Sequence, residues 1–303
     1  MSDVIVVSGL TKTYGSLTAV DDLSFTVSEG EVFALLGPNG AGKTTTVEIL
    51  EGHRDRTSGA VSVMGFDPAT GGRAYRERIG VVLQEAGFDE EFTVRELVRM
   101  YASLYPRRRD PDEVIELVGL ADKAGARTKT LSGGQRRRLD LALGLVGDPD
   151  LLFLDEPTTG FDPSARRRAW ELIGSLRELG TTILLTTHYM EEAETLADRV
   201  ALIVRGRLVA SGTPASLIAE DSTGVISFSL PPGADTATLP GFGGTVQVDG
   251  PMVVVETSQP TADVQALAGW AMDQGVELPD LSLSRPTLED VYLRLTGGVG
   301  GDA

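Results

Sequence analysis

Apolar positions along this chain fall into short runs separated by polar, glycine-rich stretches. Residues 4–7, 32–36, 80–83, 151–154, 182–186 and 201–204 are such runs, rich in Val, Ile and Leu, and each predicts a strand. Between them, segments such as 43–51 and 163–178 place apolar residues at helical spacing. This alternation predicts an α/β domain with a largely parallel core sheet. Residues 24–27 and 61–63 form shorter runs and predict an antiparallel flank.

The pattern changes near residue 220. Asp221, Ser222, Thr223 and Gly224 read as a turn, and Pro231, Pro232 and Gly233 follow soon after. Beyond them, residues 225–230, 245–248 and 252–256 predict strands, and 261–274 and 287–295 predict helices. Thr287 with Asp290 resembles a capping box, and Leu288, Val291, Tyr292 and Leu295 form an apolar stripe behind it. The expected division is residues 1–221 as one α/β domain and 222–303 as a small α+β domain, with a mobile glycine-rich tail at 297–301.

Composition narrows the function. The 303 residues carry 27 basic and 44 acidic side chains, a formal charge of −17. That balance opposes duplex nucleic acid and spontaneous adhesion to an anionic leaflet, but a local site can still attract a small anion. No cysteine is present, which removes disulfides, thiolate metal sites and cysteine nucleophiles. No apolar run reaches the roughly 18 residues that a membrane span needs, and the N-terminus does not read as a secretory signal.

Gly37, Pro38, Asn39, Gly40, Ala41, Gly42, Lys43 and Thr44 follow a predicted strand and open a predicted helix. Glycines there let backbone N–H groups turn inward around phosphate oxygens, and the helix start faces the same charge. Lys43 can reach β- and γ-phosphates, and the Thr44 hydroxyl can ligate Mg²⁺; Thr45 joins the expected nucleotide-binding set. Residues 151–154 then carry Asp155 and Glu156 out of the end of a strand, where ligands of open α/β sheets collect. Asp155 is expected to hold Mg²⁺, partly through water, and Glu156 to polarise the water that attacks the γ-phosphate.

Leu131, Ser132, Gly133, Gly134 and Gln135 lie between these two motifs. With a Walker A loop before it and a Walker B strand after it, this segment resembles the signature of ATP-binding-cassette ATPases. The resemblance covers residues 1–220 and implies a P-loop ATPase cassette, with an inserted helical subdomain at about residues 85–140 and an antiparallel β flank. It implies further site residues: Tyr14 stacking on adenine, Gln84 sensing Mg²⁺ and the attacking water, Asp162 as the acid of the D-loop, and His188 as the switch bridging the γ-phosphate and Glu156. Members usually carry Leu where Phe161 stands. Such cassettes work as dimers in which the Walker A loop of one protomer and the signature of the other close on one ATP.

Without a span of its own, a cassette in transport requires an integral membrane permease. Residues 85–105, with Phe88, Phe92, Val94, Leu97, Val98 and Tyr101, are where membrane subunits dock in the family, or else they form the subdomain's own core. Residues 275–297 resemble the tail of daunorubicin-resistance-type exporter subunits, which implies drug or antibiotic efflux and a peripheral place on the cytoplasmic face of the membrane. The alternatives are a soluble cassette acting on ribosomes or nucleic acid and a regulatory module without turnover. The chain has one Walker A loop and no long heptad stretch, and it retains Glu156 and His188, which speaks against both. Three arginine triplets, 107–109, 136–138 and 166–168, read as solvated helix faces paired with nearby acids.

Overall fold

The computed structural model describes residues 2–82, 87, 89, 91–219, 224–230, 236–284 and 286–296. Gln84, Phe88, the turn at 221–223, residues 231–233 and the tail at 297–301 lie outside the described residues. The chain forms two compact units, Met1–Pro214 and Ala215–Ala303.

In chain order the first unit comprises β1 (Asp3–Tyr14), β2 (Leu17–Ser28), β3 (Val32–Leu36), α1 (Lys43–Leu50), β4 (Ser58–Val63), α2 (Gly72–Arg76) and β5 (Ile79–Val82). These are followed by α3 (Val94–Ala102), α4 (Pro111–Leu117), α5 (Gly133–Leu145), β6 (Leu151–Asp155), α6 (Pro163–Glu178), β7 (Thr182–Thr187), α7 (Met190–Leu196), β8 (Arg199–Val204) and β9 (Arg207–Gly212). The core sheet has the order β5-β6-β7-β3-β8-β9 and is parallel except for β9. Strands β3, β6 and β7 are buried at every position. Strands covered on both faces need unbroken apolar runs, which is why these three are so legible as sequence. By contrast, β9 alternates exposed and half-buried residues and pairs on one side only, so its sequence carries no such run.

Residues 4–7 are not a core-sheet strand. They belong to β1, which pairs antiparallel with β2 and β4 in a separate three-stranded sheet. The reason is its neighbours: β2 returns directly along β1, from Tyr14 opposite Leu17 back to Asp3 opposite Ser28. Residues 24–27 and 61–63 lie in that sheet, in β2 and β4. Phe25 on β2 stacks on Phe33 of β3 at 5.4 Å between ring centroids, within one core shared by the two sheets.

Helices α3, α4 and α5 occupy the chain between β5 and β6. Each begins on a side-chain cap: Thr93 with Glu96, Asp110 ahead of Pro111, and Ser132 with Gln135. Val94, Leu97 and Val98 are buried, whereas Phe92 and Tyr101 are only partly covered.

After α8 (Pro214–Ala219), the second unit contains β10 (Gly224–Ser229), β11 (Gly244–Asp249), β12 (Met252–Thr257), α9 (Pro260–Gln274), β13 (Ser282–Ser284) and α10 (Leu288–Leu295). Its antiparallel sheet has the order β11-β12-β10-β13. Ile226, Phe228, Val253 and Val255 cluster with Leu267, Trp270 and Ala271 of α9. Thr287 and Asp290 form the capping box, and Leu288 and Val291 are buried. Leu295 departs from the expected stripe: it is 42% exposed, in the last turn of the helix.

Candidate ATP site

The ends of β3 and β6 of the parallel sheet meet β1 and β2 at one cleft of about 610 Å³, lined by Tyr14, Leu17, Ala19, residues 39–45, Arg54 and Glu156. The loop from Gly37 to Thr44 leaves β3 and enters α1 under tight steric limits. A Cβ on Gly37 would stand 2.2 Å from the Ile203 carbonyl oxygen, and one on Gly42 would stand 2.3 Å from that of Ala19. Gly42 also has φ 99°, a left-handed conformation that glycine adopts without strain. No side chain caps α1, so its first-turn N–H groups are left to a ligand anion.

Lys43 is 4% exposed. Its ammonium donates to the carbonyls of Gly37 and Pro38 at 2.8 and 3.1 Å and lies 3.9 Å from Glu156 Oε1. Burial pushes its pKa down, while the carboxylates of Glu156 and Asp155 act in the opposite direction. Thr44 Oγ1 lies 3.5 Å from Asp155 Oδ2. Hard hydroxyl and carboxylate oxygens suit Mg²⁺, and no group of three or more potential metal-ligating side chains stands together among the described residues. The pair therefore fits an ion that brings phosphate and water ligands with it, as Mg²⁺ does, rather than an all-protein cage.

Asp155 and Glu156 stand at the end of β6 beside β7. Asp155 pairs in register with Thr186, whose hydroxyl donates to Asp155 Oδ1 and to whose oxygen the Glu156 N–H donates at 3.0 Å. Glu156 has φ 45°, a left-handed conformation costly for a side chain of this size. Its Oε1 lies 3.1 Å from His188 Nδ1, and its Oε2 accepts from the Thr159 hydroxyl at 3.1 Å. Tyr14 is 39% exposed at the rim, with the Lys12 ammonium and the Arg54 guanidinium 5.1 and 5.4 Å from its ring centroid.

The structure thus brings together Tyr14, the loop, Asp155, Glu156 and His188. Ser132, Gly134, Gln135 and Asp162 line a different cleft of about 400 Å³ with Phe161 and Arg168, and Gly133 is exposed at the start of α5. There the Ser132 oxygen accepts from the Gln135 N–H, and Gln135 returns a bond to the Ser132 N–H. Asp162 caps α6, and the N–H groups of Ala165 and Ser164 hold its carboxyl below the usual range.

Sequence reasoning missed Thr186, Thr159, Arg54 and Arg137. Arg137 corrects the expectation of a solvated triplet: it is partly buried and donates to the Asp155 and Glu156 carbonyls at 2.8 and 3.3 Å. α5 packs toward the end of β6, so this position of the triplet turns inward. Arg107 and Arg109 do pair with acids, at Asp148 and Asp150.

A glycine-lined phosphate loop at one strand end, with a carboxylate pair at the next strand but one, defines a P-loop protein that binds nucleoside triphosphates. Comparison with known proteins is more specific. A family model described as ABC transporter matches residues 20–159, and an ABC transporter domain-containing protein-like, C-terminal domain model matches residues 224–287. The daunorubicin resistance ATP-binding protein DrrA3 of Streptomyces coeruleorubidus is 42% identical, covering 97% of this chain and 96% of its own. Nod factor export ATP-binding protein I of Rhizobium sp. (strain N33) is also 42% identical, with 98% of each chain covered. A solved ATP-binding subunit of an ABC transporter aligns with TM-score 0.65 at 28% identity, over 72% of this chain and 92% of its own. A dimeric post-hydrolysis cassette bound to ADP and Pi shares the fold, with TM-score 0.62 at 24% identity over 69% of this chain and 98% of its own. The chain belongs to the ATP-binding proteins of ABC transporters and is an ABC transporter ATPase.

Proposed function

We propose that this chain powers a bacterial exporter of a drug or antibiotic-like lipophilic compound, working at the cytoplasmic face of the membrane through separate permease subunits. The observation that carries this reading is the 42% identity to a daunorubicin resistance protein over nearly the whole of both chains. Among the described residues no helix is long and apolar enough to cross a membrane, which fits a path supplied by another chain. The Nod factor export relative supports export while leaving the cargo open.

At the site, Tyr14 would stack on adenine, and residues 37–45 would cradle the phosphates with Lys43 against the β- and γ-oxygens. Thr44 and Asp155 would hold Mg²⁺, which when bound neutralises charge on those oxygens. Glu156, held by Thr159 and His188, would orient and polarise the attacking water. Gln84 is assigned to the same water and ion on resemblance alone. Ser132, Gly134, Gln135 and Asp162, which line a cleft separate from the phosphate loop, would meet the ATP of a second cassette together with the exposed Gly133 beside them. Residues 222–303 would form an accessory domain supporting that dimer or its permease contact.

Co-purification from membranes with an integral partner, followed by accumulation assays in cells, tests the export reading. Efflux of a lipophilic drug that requires both this chain and that partner supports it; unaltered accumulation in the deletion strain for every lipophilic compound tried overturns it. Mixing Lys43→Ala and Ser132→Arg proteins tests the composite site. Each is expected to be inactive alone, and their heterodimer should regain one intact site and measurable turnover.

A further inference from the structure

Helix α7 carries a buried carboxyl that has no part in the chemistry above. Glu192 has no exposed surface. Its Oε1 accepts from the Thr158 hydroxyl at 2.7 Å and from the Trp170 indole N–H at 3.1 Å. Its Oε2 has no hydrogen-bond partner among the described residues. A buried carboxyl with one oxygen bare is a costly way to fill space, because an apolar side chain of similar volume would carry no desolvation penalty. The arrangement is informative for what it connects. Trp170 lies on α6, Thr158 lies in the turn after β6, and Glu192 lies one helical turn beyond His188.

That turn carries Glu156. Thr158 is fully buried, and Thr159 beside it donates to Glu156 Oε2. The left-handed φ of Glu156 persists only where its surroundings hold it. On the strand side, Thr186 binds its N–H and Arg137 its carbonyl oxygen. Further along the turn, the Pro157 carbonyl accepts from Arg137 at 3.3 Å, and the Thr158 side chain is tied to Glu192.

We propose that Glu192 is a positioning residue for ATP hydrolysis: by anchoring Thr158 it fixes the turn at residues 156–159, so that Thr159 and His188 hold the two oxygens of Glu156 in one orientation. The same contact ties α7, which follows His188, to that turn, so switch and carboxylate keep their spacing. The inference rests on the reading of Glu156 as the group that polarises the attacking water.

The test uses the full chain and measures kcat, ATP affinity and thermal midpoint. Thr158→Val is nearly isosteric and removes only the donor. It is expected to lower kcat about tenfold to a hundredfold, as misplacement of a reacting group does, with ATP affinity held within about twofold. Thr158→Ser keeps the hydroxyl and should restore most of the rate. Glu192→Gln keeps a carbonyl acceptor and should do likewise, whereas Glu192→Leu should match Thr158→Val, and the double variant Thr158→Val/Glu192→Leu should be no slower than either. Should the Glu192 variants fail to fold, the Val and Ser pair at Thr158 decides. Wild-type kcat in Thr158→Val overturns the inference, as does a loss of ATP affinity equal to the loss of rate. Glu156→Gln, measured in parallel, separates the two claims: turnover surviving there overturns the reading of Glu156, while an inactive Glu156→Gln beside a fully active Thr158→Val overturns only the role of Glu192.

Discussion

Two helices of the first unit begin at glycine-rich segments, and they treat their exposed N–H groups in opposite ways. α1 starts from Gly42 in a left-handed conformation with no side-chain cap. α5 starts from Ser132 in extended conformation with a reciprocal cap to Gln135. The first start has unmet donors beside a buried lysine and a carboxylate pair. The second has met its own N3 donor and offers the Ser132 O–H proton with the first-turn N–H groups of Gly133 and Gly134. The phosphate loop is therefore organised to take anionic charge by itself, whereas the signature segment is a stable, exposed surface suited to supplementing a ligand held elsewhere.

The sharpest way to break this comparison is to remove one ligand-facing side chain from each side. Lys43→Ala should weaken ATP binding by about 10- to 100-fold, the value of a hydrogen bond to a charged group, while Ser132→Ala should leave ATP affinity of the isolated chain unchanged. Equilibrium titration with a fluorescent ATP analogue checks both, and equal losses would dissolve the contrast. A smaller effect is expected from backbone crowding. Gly37→Ala drives a Cβ against the Ile203 carbonyl oxygen, and overpacking of this kind costs about 1–3 kcal/mol. Gly134→Ala meets nothing within 4 Å and should unfold in urea close to wild type.

The C-terminal end of α1 supplies a pH test. Burial, then the charges of Asp155 and Glu48, push the Glu51 carboxyl up to about 8. The folded chain therefore binds a proton there more tightly than the unfolded chain does. Its contribution to stability is complete below the unfolded value near 4.5 and is lost as pH rises toward 8. Glu51→Gln should flatten that decline and gain on the order of 2–3 kcal/mol over wild type at pH 8, read from urea unfolding at several pH values. The smallest effect belongs to the signature side: Gln135→Ala removes half of a capping box and should cost about 1 kcal/mol, with ATP affinity at the phosphate loop unmoved.

Most of the phosphate loop was legible because its requirement is local. Consecutive residues must place N–H groups around one anion, and only glycine can stand where Ala19 and Ile203 approach. The carboxylate pair was legible only beside that loop: a strand ending in two acids is common, and the phosphate loop earlier in the same chain is what gives these two a use. The support around that pair was not legible. Thr186 reaches Asp155 because β7 lies in register beside β6, Arg137 because α5 turns one position of an arginine triplet inward, and Glu192 because α7 and α6 close over the turn. Each is an ordinary residue in its own sequence context.

The alternation of apolar runs with helical segments determined that an α/β sheet would form, and the spacing of glycines, lysine and acids determined where phosphate chemistry belongs, since both depend on neighbours within one turn or one strand. Which strands lie side by side was settled only in three dimensions. The run at residues 4–7 reads like a core strand, yet β1 joins an antiparallel sheet because the chain turns straight back along it. The orientation of Glu156 was likewise settled there, because a left-handed backbone at a charged residue holds only when groups distant in sequence bind its N–H, its carbonyl and one of its carboxylate oxygens, the other being held by Thr159 in the same turn.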